Sequence, residues 1–212
     1  MTNSTNEISA DTSTNGQKLE EVTSFRYLGA TLCKDAICST EVRIRIASAM
    51  AAMARLNRIW LCNTISFASK CELYESLVSS ILLYGCETWT LLADSEKRIQ
   101  AFETKCLRKL LRIFYLEHKI NDWVRSKINL LVDPQESFLA TVNRLKLAWF
   151  WHVTRHDSLS KTILRGTLEG GRRRGRQRKC WMDNIKEWTS LHMPELLTIK
   201  GLLQDRLGED LC

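Results

Sequence analysis

The spacing of apolar residues restricts this chain to a mainly helical fold more firmly than any other feature of its sequence. In three successive stretches, residues 42–60, 74–82 and 99–113, large side chains recur every three or four positions, as along one face of an α-helix. The 212 residues include only two prolines and nine glycines, too few for the many tight turns of a β-sandwich or barrel. Three amphipathic helices in succession can close a small bundle.

The N-terminal part of the chain departs from this helical pattern. Residues 1–18 are rich in Ser, Thr, Asn and Gly, and we predict a disordered tail because few apolar side chains offset the entropy lost on ordering. The β-branched and aromatic residues between 22 and 32 predict a strand or short hairpin interrupted at Gly29. Residues 19–130 are therefore predicted to combine a short β segment with a helical bundle.

A second, smaller helical unit is predicted over residues 131–212. The run Asp-Pro-Gln-Glu at 133–136 is typical of a helix start, with an acidic cap and a proline at the first helical position. A last helix is predicted from Pro194. The other apolar residues that lie at helical spacing in this unit are Phe138, Val142, Leu145, Trp149, Trp181, Ile185 and Trp188.

Eight cysteines are scattered along the chain without a Cys-x-x-Cys pair, which favours reduced thiols in an intracellular, cytoplasmic or nuclear, setting. Cys71 and Cys106 fall on apolar helix faces and are predicted to be small core residues. His152 and His156 are one helical turn apart, but zinc prefers three or four ligands, so no metal site is predicted. The longest apolar run is too short to cross a membrane, and no membrane partner is expected.

The most charged stretch is residues 170–179, Gly-Gly-Arg-Arg-Arg-Gly-Arg-Gln-Arg-Lys, which we name the basic segment. In a chain of net charge +7, this segment concentrates positive charge without an acidic residue. Each arginine can form two parallel hydrogen bonds to a phosphate and release condensed counterions, which favours a polyanion as partner. A solvated loop or a localisation signal is the alternative interpretation. The cations concerned are Arg172, Arg173, Arg174, Arg176, Arg178 and Lys179.

The third predicted helix also carries cations on the face opposite its apolar stripe. Lys105, Arg108 and Arg112 are the residues of this face that we predict to contact nucleic acid. A solvated helix exterior would produce the same pattern. The aromatic residues near 149–151 and 181–188 could stack on unpaired bases, although their helical spacing favours core packing.

Five short motifs follow one another along most of the chain. They read Phe-Arg-Tyr-Leu-Gly at 25–29, Ile-Leu-Leu-Tyr-Gly-Cys-Glu-Thr-Trp-Thr at 81–90, Ala-Phe-Glu-Thr-Lys-Cys-Leu-Arg at 101–108, Trp-Phe-Trp-His-Val-Thr-Arg at 149–155, and Gly-Arg-Gln-Arg followed by Trp-Met-Asp-Asn-Ile within 175–185. Taken together, these motifs resemble the C-terminal part of endonuclease–reverse transcriptases of LINE-type non-LTR retrotransposons. One departure is Trp151, where that family usually has glycine.

The resemblance implies a position and a partner for several residues. Tyr27, Leu28 and Gly29 match the primer grip at the edge of the palm, and the helices after them match the thumb. The basic helix faces would then follow a template–primer duplex, and the implied partner is RNA or an RNA–DNA or DNA duplex. The spacing of Tyr27 alone predicts only a half-buried strand aromatic. The basic segment falls in the family's C-terminal extension.

The carboxylates that reverse transcription needs are not recognisable in this chain. Such chemistry requires clustered acids that hold Mg²⁺, and the family's aromatic-x-Asp-Asp turn would lie upstream of Tyr27. The sequence contains no Asp-Asp pair, so we assign no catalytic residue, no cofactor of its own and no small-molecule substrate. The leading hypothesis is a nucleic-acid-binding fragment that is inactive alone. The alternatives are a structural relic or interaction module of a degenerate element, and an enzyme that acts with a separate palm; the oligomeric state is left open.

Overall fold

The fold is mainly α-helical with a short antiparallel β segment near the N-terminus, as the sequence predicts. The computed structural model describes residues 13–14, 17–18, 22–33, 39–113, 117–154 and 179–190. The basic segment lies outside these ranges except for Lys179, and the helix predicted from Pro194 lies outside them altogether.

Two small hairpins form the β structure. Strands β1, Ser13–Thr14, and β2, Gln17–Lys18, pair antiparallel within the stretch predicted as a disordered tail. Strands β3, Ser24–Tyr27, and β4, Ala30–Cys33, form the hairpin predicted around Gly29. The turn between them is tight because Leu28 and Gly29 both have positive φ, 47° and 82°. Tyr27 is 58% exposed rather than half-buried, since the paired sheet has only two strands and no layer covers this side chain.

The helices follow the predicted order. Helix α1 spans Ser39–Arg55, α2 spans Asn57–Leu61, and α3 spans Phe67–Leu73. A π-helical stretch, Tyr74–Ser79, joins α3 without a break to α4, Ser80–Leu83. A 3₁₀ turn, Cys86–Thr88, leads to α5, Ala93–Leu110. Helices α6, Asn121–Asn129, α7, Phe138–Thr154, and α8, Trp181–Thr189, complete the described structure.

One hydrophobic core joins helices α1 to α7. Trp60 and Trp89 are fully buried in it, and the indole N–H of Trp60 donates to the Met53 carbonyl at 2.8 Å, which holds α2 against α1. Phe138 and Val142 of α7 belong to the same core. The core therefore continues across residue 130, where the sequence placed a domain boundary.

Gly85 ends the second helical stretch. Its φ of 69° lies in the left-handed region that glycine adopts without steric cost, and α4 ends two residues earlier at Leu83. The predicted start of α7 is wrong by several residues. The helix begins at Phe138, and the Ser137 hydroxyl accepts the Ala140 N–H at 3.2 Å, so Ser137 rather than Asp133 caps it.

The buried stripe of α7 also differs from the predicted one. Side chains four residues apart face inward along the whole helix, and the fully buried positions include Lys146 and Phe150. Leu145 and Trp149, which the sequence placed on the core face, are only partly buried. A lysine in the middle of the stripe shifted the predicted face by one position, because a charged residue is normally assigned to solvent.

Candidate nucleic-acid interface

The primer-grip-like residues lie on the exposed turn of the β3–β4 hairpin. Arg45 of α1 donates to the Gly29 carbonyl at 2.6 Å, and the Tyr84 hydroxyl donates to the Leu28 carbonyl at 2.7 Å. The Arg45 guanidinium also lies 4.6 Å from the centre of the Tyr84 ring. Because both bonds hold backbone atoms, the side chains of Tyr27 and Leu28 remain exposed while the turn is fixed to the helices.

A buried carboxylate completes this anchorage. Glu41 at the start of α1 accepts the Thr31 N–H at 2.9 Å and the Arg45 Nε–H at 2.7 Å. The Glu41 side chain is almost fully buried, so these two bonds satisfy a charge that would otherwise be costly to desolvate. The position of the hairpin is therefore set by α1.

The predicted α5 cations divide into one exposed residue and two that bind the protein itself. Lys105 is exposed. Arg108 donates to the Asn121 side chain at 3.1 Å and to the Lys119 carbonyl, which holds the chain entering α6. Arg112 donates to the Trp60 carbonyl, to the Cys62 carbonyl at 3.0 Å and to the Asn63 side-chain oxygen at 2.7 Å.

The contacts of Arg112 have an electrostatic cause. The last carbonyls of a helix carry a partial negative charge and lack partners within the helix. Lys70 donates to the carbonyls of Trp60 and Cys62 at 3.1 and 2.6 Å, and Lys109 donates to the Met53 carbonyl at 3.4 Å. Three cations thus hold the C-terminal ends of α1, α2 and α5 together.

The helices that meet at this junction also carry exposed cations, and we name the cations of these helix ends the basic end. Arg55 and Arg58 are exposed beside the end of α1 and in α2, and Lys105 lies one helical turn before Lys109. Of the ion pairs found within the described ranges, none involves these residues. The basic end comprises Arg55, Arg58, Lys105, Lys109 and Arg112.

The one described residue of the basic segment, Lys179, pairs with Glu187 of α8. The Cys180 N–H donates to the Asp183 carboxylate at 2.7 Å and starts α8, and this bond lowers the pKa of Asp183. The C-terminal end of the basic segment is therefore attached to α8.

Helix α8 is held by a buried lysine that the sequence reasoning missed. Lys146 is 0% exposed and donates to the Trp89 carbonyl at 2.6 Å and to the Asn184 side-chain oxygen at 2.9 Å. Asn184 in turn accepts the Leu91 N–H and donates to the Leu91 carbonyl, both at 2.9 Å. This polar cluster links α7, α8 and the segment before α5.

The aromatic residues near α8 pack against one another and against Lys146. Trp149 and Trp181 meet edge to face with centroids 5.1 Å apart, and the Lys146 ammonium lies 4.7 Å from the Trp181 ring. The Trp181 N–H donates to the Glu87 carbonyl at 2.8 Å. These contacts agree with the core-packing interpretation of their helical spacing.

Glu103 of α5 is a second buried charge that the sequence did not indicate. It accepts Arg125 at 3.1 Å and the Phe138 N–H at 3.3 Å. Burial raises the pKa of Glu103, and the Arg125 guanidinium opposes that rise only in part. In sequence, Glu103 sits among the cations of α5 and is indistinguishable from a surface acid.

We expect stability to depend on pH through Glu103. Its pKa in the folded chain lies above the reference value of 4.5, so its contribution is fully present below pH 4.5 and is lost as pH rises through the raised value. The wild type should therefore lose stability relative to Glu103→Gln over that interval, as measured by urea unfolding at stepped pH. Glu96→Gln, which removes a carboxylate from the same helix, is the matched control, and a difference that rises with pH at Glu103 would contradict the expectation.

The cysteines of the described helices are mostly buried thiols. Burial raises the pKa of Cys71 to about 11 and that of both Cys86 and Cys106 to about 12, which suits inert core thiols and confirms the prediction for Cys71 and Cys106 as core residues. Hydrogen bonds from Thr64 lower the pKa of Cys62. Across residues 39–113, 117–154 and the shorter described ranges, no three His, Cys, Asp or Glu side chains converge as metal ligands.

Among those helices that the structure describes, none is both long and apolar enough to cross a lipid bilayer.

Comparison with known proteins relates the chain to a mobile element. No family model and no solved structure matches it. An uncharacterized protein of Caenorhabditis elegans described as transposon-derived is 25% identical over 176 residues, which cover 80% of this chain. The matched region is 61% of that protein, so the chain spans about three fifths of the relative's length. The similarity fits an origin of this chain in a mobile element.

Proposed function

We propose that the chain is a nucleic-acid-binding part of a retrotransposon reverse transcriptase, comprising a thumb-like bundle and its C-terminal extension. The observation that carries the proposal is the basic end, where cations from three helices meet and the exposed ones form no ion pair within the described ranges. The transposon-derived relative and the five ordered motifs support the same origin. The setting that this implies is intracellular.

The basic end suits a phosphate backbone better than a specific base sequence. Lys105, Arg55 and Arg58 can each place a charge on a phosphate, and such contacts release counterions without reading bases. Arg112 and Lys109 hold the helix ends in place, so that the exposed cations keep a fixed spacing. The anchored turn of the β3–β4 hairpin, with the exposed side chains of Tyr27 and Leu28, would contact a primer strand, as the resemblance implies.

We assign no nucleotide transfer to these residues. Mg²⁺-dependent chain extension needs converging carboxylates, and within the described ranges no three acidic, Cys or His side chains converge as metal ligands; Glu41 and Glu103 instead anchor neighbouring elements. In this proposal, a polymerase palm carries out chain extension, and the present chain binds the duplex.

Binding to a primer–template duplex should depend steeply on salt and on the basic segment. Replacing Arg172, Arg173 and Arg174 together by alanine should weaken binding roughly 10- to 100-fold at moderate salt and reduce the slope of log K against log salt by about 2 to 3. Fluorescence anisotropy with RNA–DNA and DNA duplexes over a salt series measures both quantities.

A control variant removes the same charge elsewhere. Lys97, Arg98 and Lys127 are exposed outside the basic end, and their joint replacement by alanine should change the affinity and slope much less. Equal losses in both triple variants would mean only general attraction. Absence of salt-dependent binding in the wild type would reject the proposal and favour a structural relic.

A further inference from the structure

A groove with acidic walls lies on a side of the bundle formed by α3, the π-helical stretch and the loop from α6 to α7. It consists of two hollows of about 780 and 290 Å³, which share Glu75, Asn129, Gln135 and Glu136 in their walls. The larger lies within the range of about 300–1,000 Å³ typical of ligand sites, and the smaller lies at its lower limit. We name this feature the acidic groove.

The rim of the acidic groove carries negative charge that the described cations do not balance. Glu72, Glu75 and Asp133 are exposed on it, and none takes part in the ion pairs found within the described ranges. Only Glu136 is paired, with Arg144 at 3.1 Å. In a chain of net charge +7, such a concentration of carboxylates favours a cationic ligand.

The smaller hollow, which we call the inner hollow, is lined by hydrogen-bond acceptors that a donor group could satisfy. Tyr74 is 3% exposed, and its hydroxyl has no hydrogen-bond partner among the described protein atoms. A buried hydroxyl without a partner is unfavourable, because it has lost its hydrogen bonds to water. Glu103 lines the same hollow, and its one cationic partner, Arg125, is 41% exposed, so the buried carboxylate is incompletely compensated.

An arginine side chain meets the requirements of both hollows. Its guanidinium carries five N–H donors and no acceptor, which suits a buried hydroxyl oxygen beside a carboxylate. Its aliphatic stem can lie against apolar surface, and Leu130 at the rim is 80% exposed. A run of arginines would place further charges on Glu72, Glu75 and Asp133.

The basic segment of this chain is the arginine-rich peptide within reach. Lys179 is attached to α8, which packs on α7 near Phe150, and Phe138 at the other end of α7 lines the inner hollow. Phe150 and Phe138 are twelve helical positions apart, about 18 Å, whereas the eight residues from Arg172 to Lys179, which make seven steps, can extend about 23 Å.

We infer that the acidic groove binds the chain's own basic segment, with an arginine in the inner hollow, when nucleic acid is absent. The segment cannot hold a polynucleotide and occupy the groove at once, so the groove competes with nucleic acid for it. That competition rests on the proposed function, whereas peptide binding by the groove does not.

Peptide binding tests the groove directly. A fluorescent peptide with the sequence of residues 170–179 should bind the chain whose own Arg172, Arg173 and Arg174 are alanine. Adding Glu72→Gln, Glu75→Gln and Asp133→Asn should weaken binding at least tenfold. A matched set outside the groove, Glu87→Gln, Glu96→Gln and Asp122→Asn, should change it less than twofold. No binding, or equal loss in both sets, would overturn the inference.

Tyr74→Phe separates the inner hollow from the general charge of the rim. The substitution removes only the hydroxyl oxygen, so the chain should remain folded and its stability unchanged or slightly higher. Peptide affinity should nevertheless fall about threefold to tenfold. Unchanged peptide affinity would exclude Tyr74 and the inner hollow from the site and contradict the inference as stated.

Nucleic-acid affinity of the otherwise intact chain tests the competition. The rim variant should bind a duplex about threefold to tenfold more tightly than the matched set with the same charge change. If neither binds, the proposed function fails while the peptide result stands. If the intact chain dimerises and the rim variant does not, the occupant is a second copy's segment, and the assignment to the chain's own segment is overturned.

Discussion

Lys146→Met should lower the free energy of unfolding by about 2–4 kcal/mol, although methionine nearly matches lysine in length and is apolar. The loss arises because the Trp89 carbonyl, buried beside Lys146, loses its described hydrogen bond, and the Asn184 oxygen loses one of two. The attraction of the ammonium for the Trp181 and Trp188 rings is lost as well.

In other settings a buried cation can be replaced without loss of stability. Desolvating an ammonium is costly, and apolar substitution of a whole buried ionic group is often neutral or stabilising. In Lys146→Met the acceptors stay behind, and an unsatisfied buried carbonyl costs about 1–3 kcal/mol. We therefore expect destabilisation from the single change and a further loss when Asn184 is also replaced by leucine, because the Leu91 N–H and carbonyl would then lose their partner as well.

Urea unfolding followed by tryptophan fluorescence measures the free energy, and hydrogen exchange locates the effect. The Leu91 amide, which donates to Asn184, should exchange much faster in Lys146→Met because α8 is released from the bundle. Lys127→Met, at an exposed position of α6, is the matched control and should change stability by less than about 0.5 kcal/mol. A stable Lys146→Met with a protected Leu91 amide would refute this role.

The helices could be predicted because the sequence signals that define them come from residues close together in the chain. Apolar residues three and four positions apart mark the buried faces of α1 and α5, and Gly85 marks a helix end through its backbone freedom. The hairpin around Gly29 has the same kind of signal. Such features need no knowledge of which elements meet.

The polar interior could not be predicted, because it depends on partners far away in sequence. Lys146 is buried since a carbonyl 57 residues earlier and an amide 38 residues later meet it. Glu103 has the spacing of an ordinary surface acid and Tyr74 that of an ordinary core residue, and only the packing of the π-helical stretch near α5 brings both to one hollow. One signal was present: Lys146 lies at four-residue spacing from both Val142 and Phe150, in the middle of an apolar stripe.

The candidate interface shows the same limit within the third predicted helix, which in the structure ends at Leu110, two residues before Arg112. Lys105, Arg108 and Arg112 form one cationic pattern in sequence, yet only Lys105 points to solvent without a described hydrogen bond to the protein. Charge periodicity reports which face is polar. It does not indicate which of these cations will donate hydrogen bonds to the carbonyl groups at the end of α2 or just before α6.

Arg112→Met should therefore lower mainly the stability of the fold, whereas Lys105→Met should weaken mainly nucleic-acid binding. Arg112→Met should cost about 2–3 kcal/mol, because charge-assisted bonds to the Trp60 and Cys62 carbonyls and to Asn63 are lost at the negative end of α2. Lys105→Met should change stability by less than about 0.5 kcal/mol, since its ammonium is exposed.

Nucleic-acid binding should reverse the order once both variants are compared under conditions where they are folded. Lys105→Met should reduce the slope of log K against log salt by about one, as the loss of one phosphate contact requires. Arg112→Met should leave the slope nearly unchanged, because its guanidinium is already committed to carbonyl oxygens. Circular dichroism during urea unfolding and anisotropy over a salt series give the two measurements. If Arg112→Met reduced the slope without destabilising the fold, the helix-end role of that arginine would be wrong, and it would belong with the phosphate-binding cations instead.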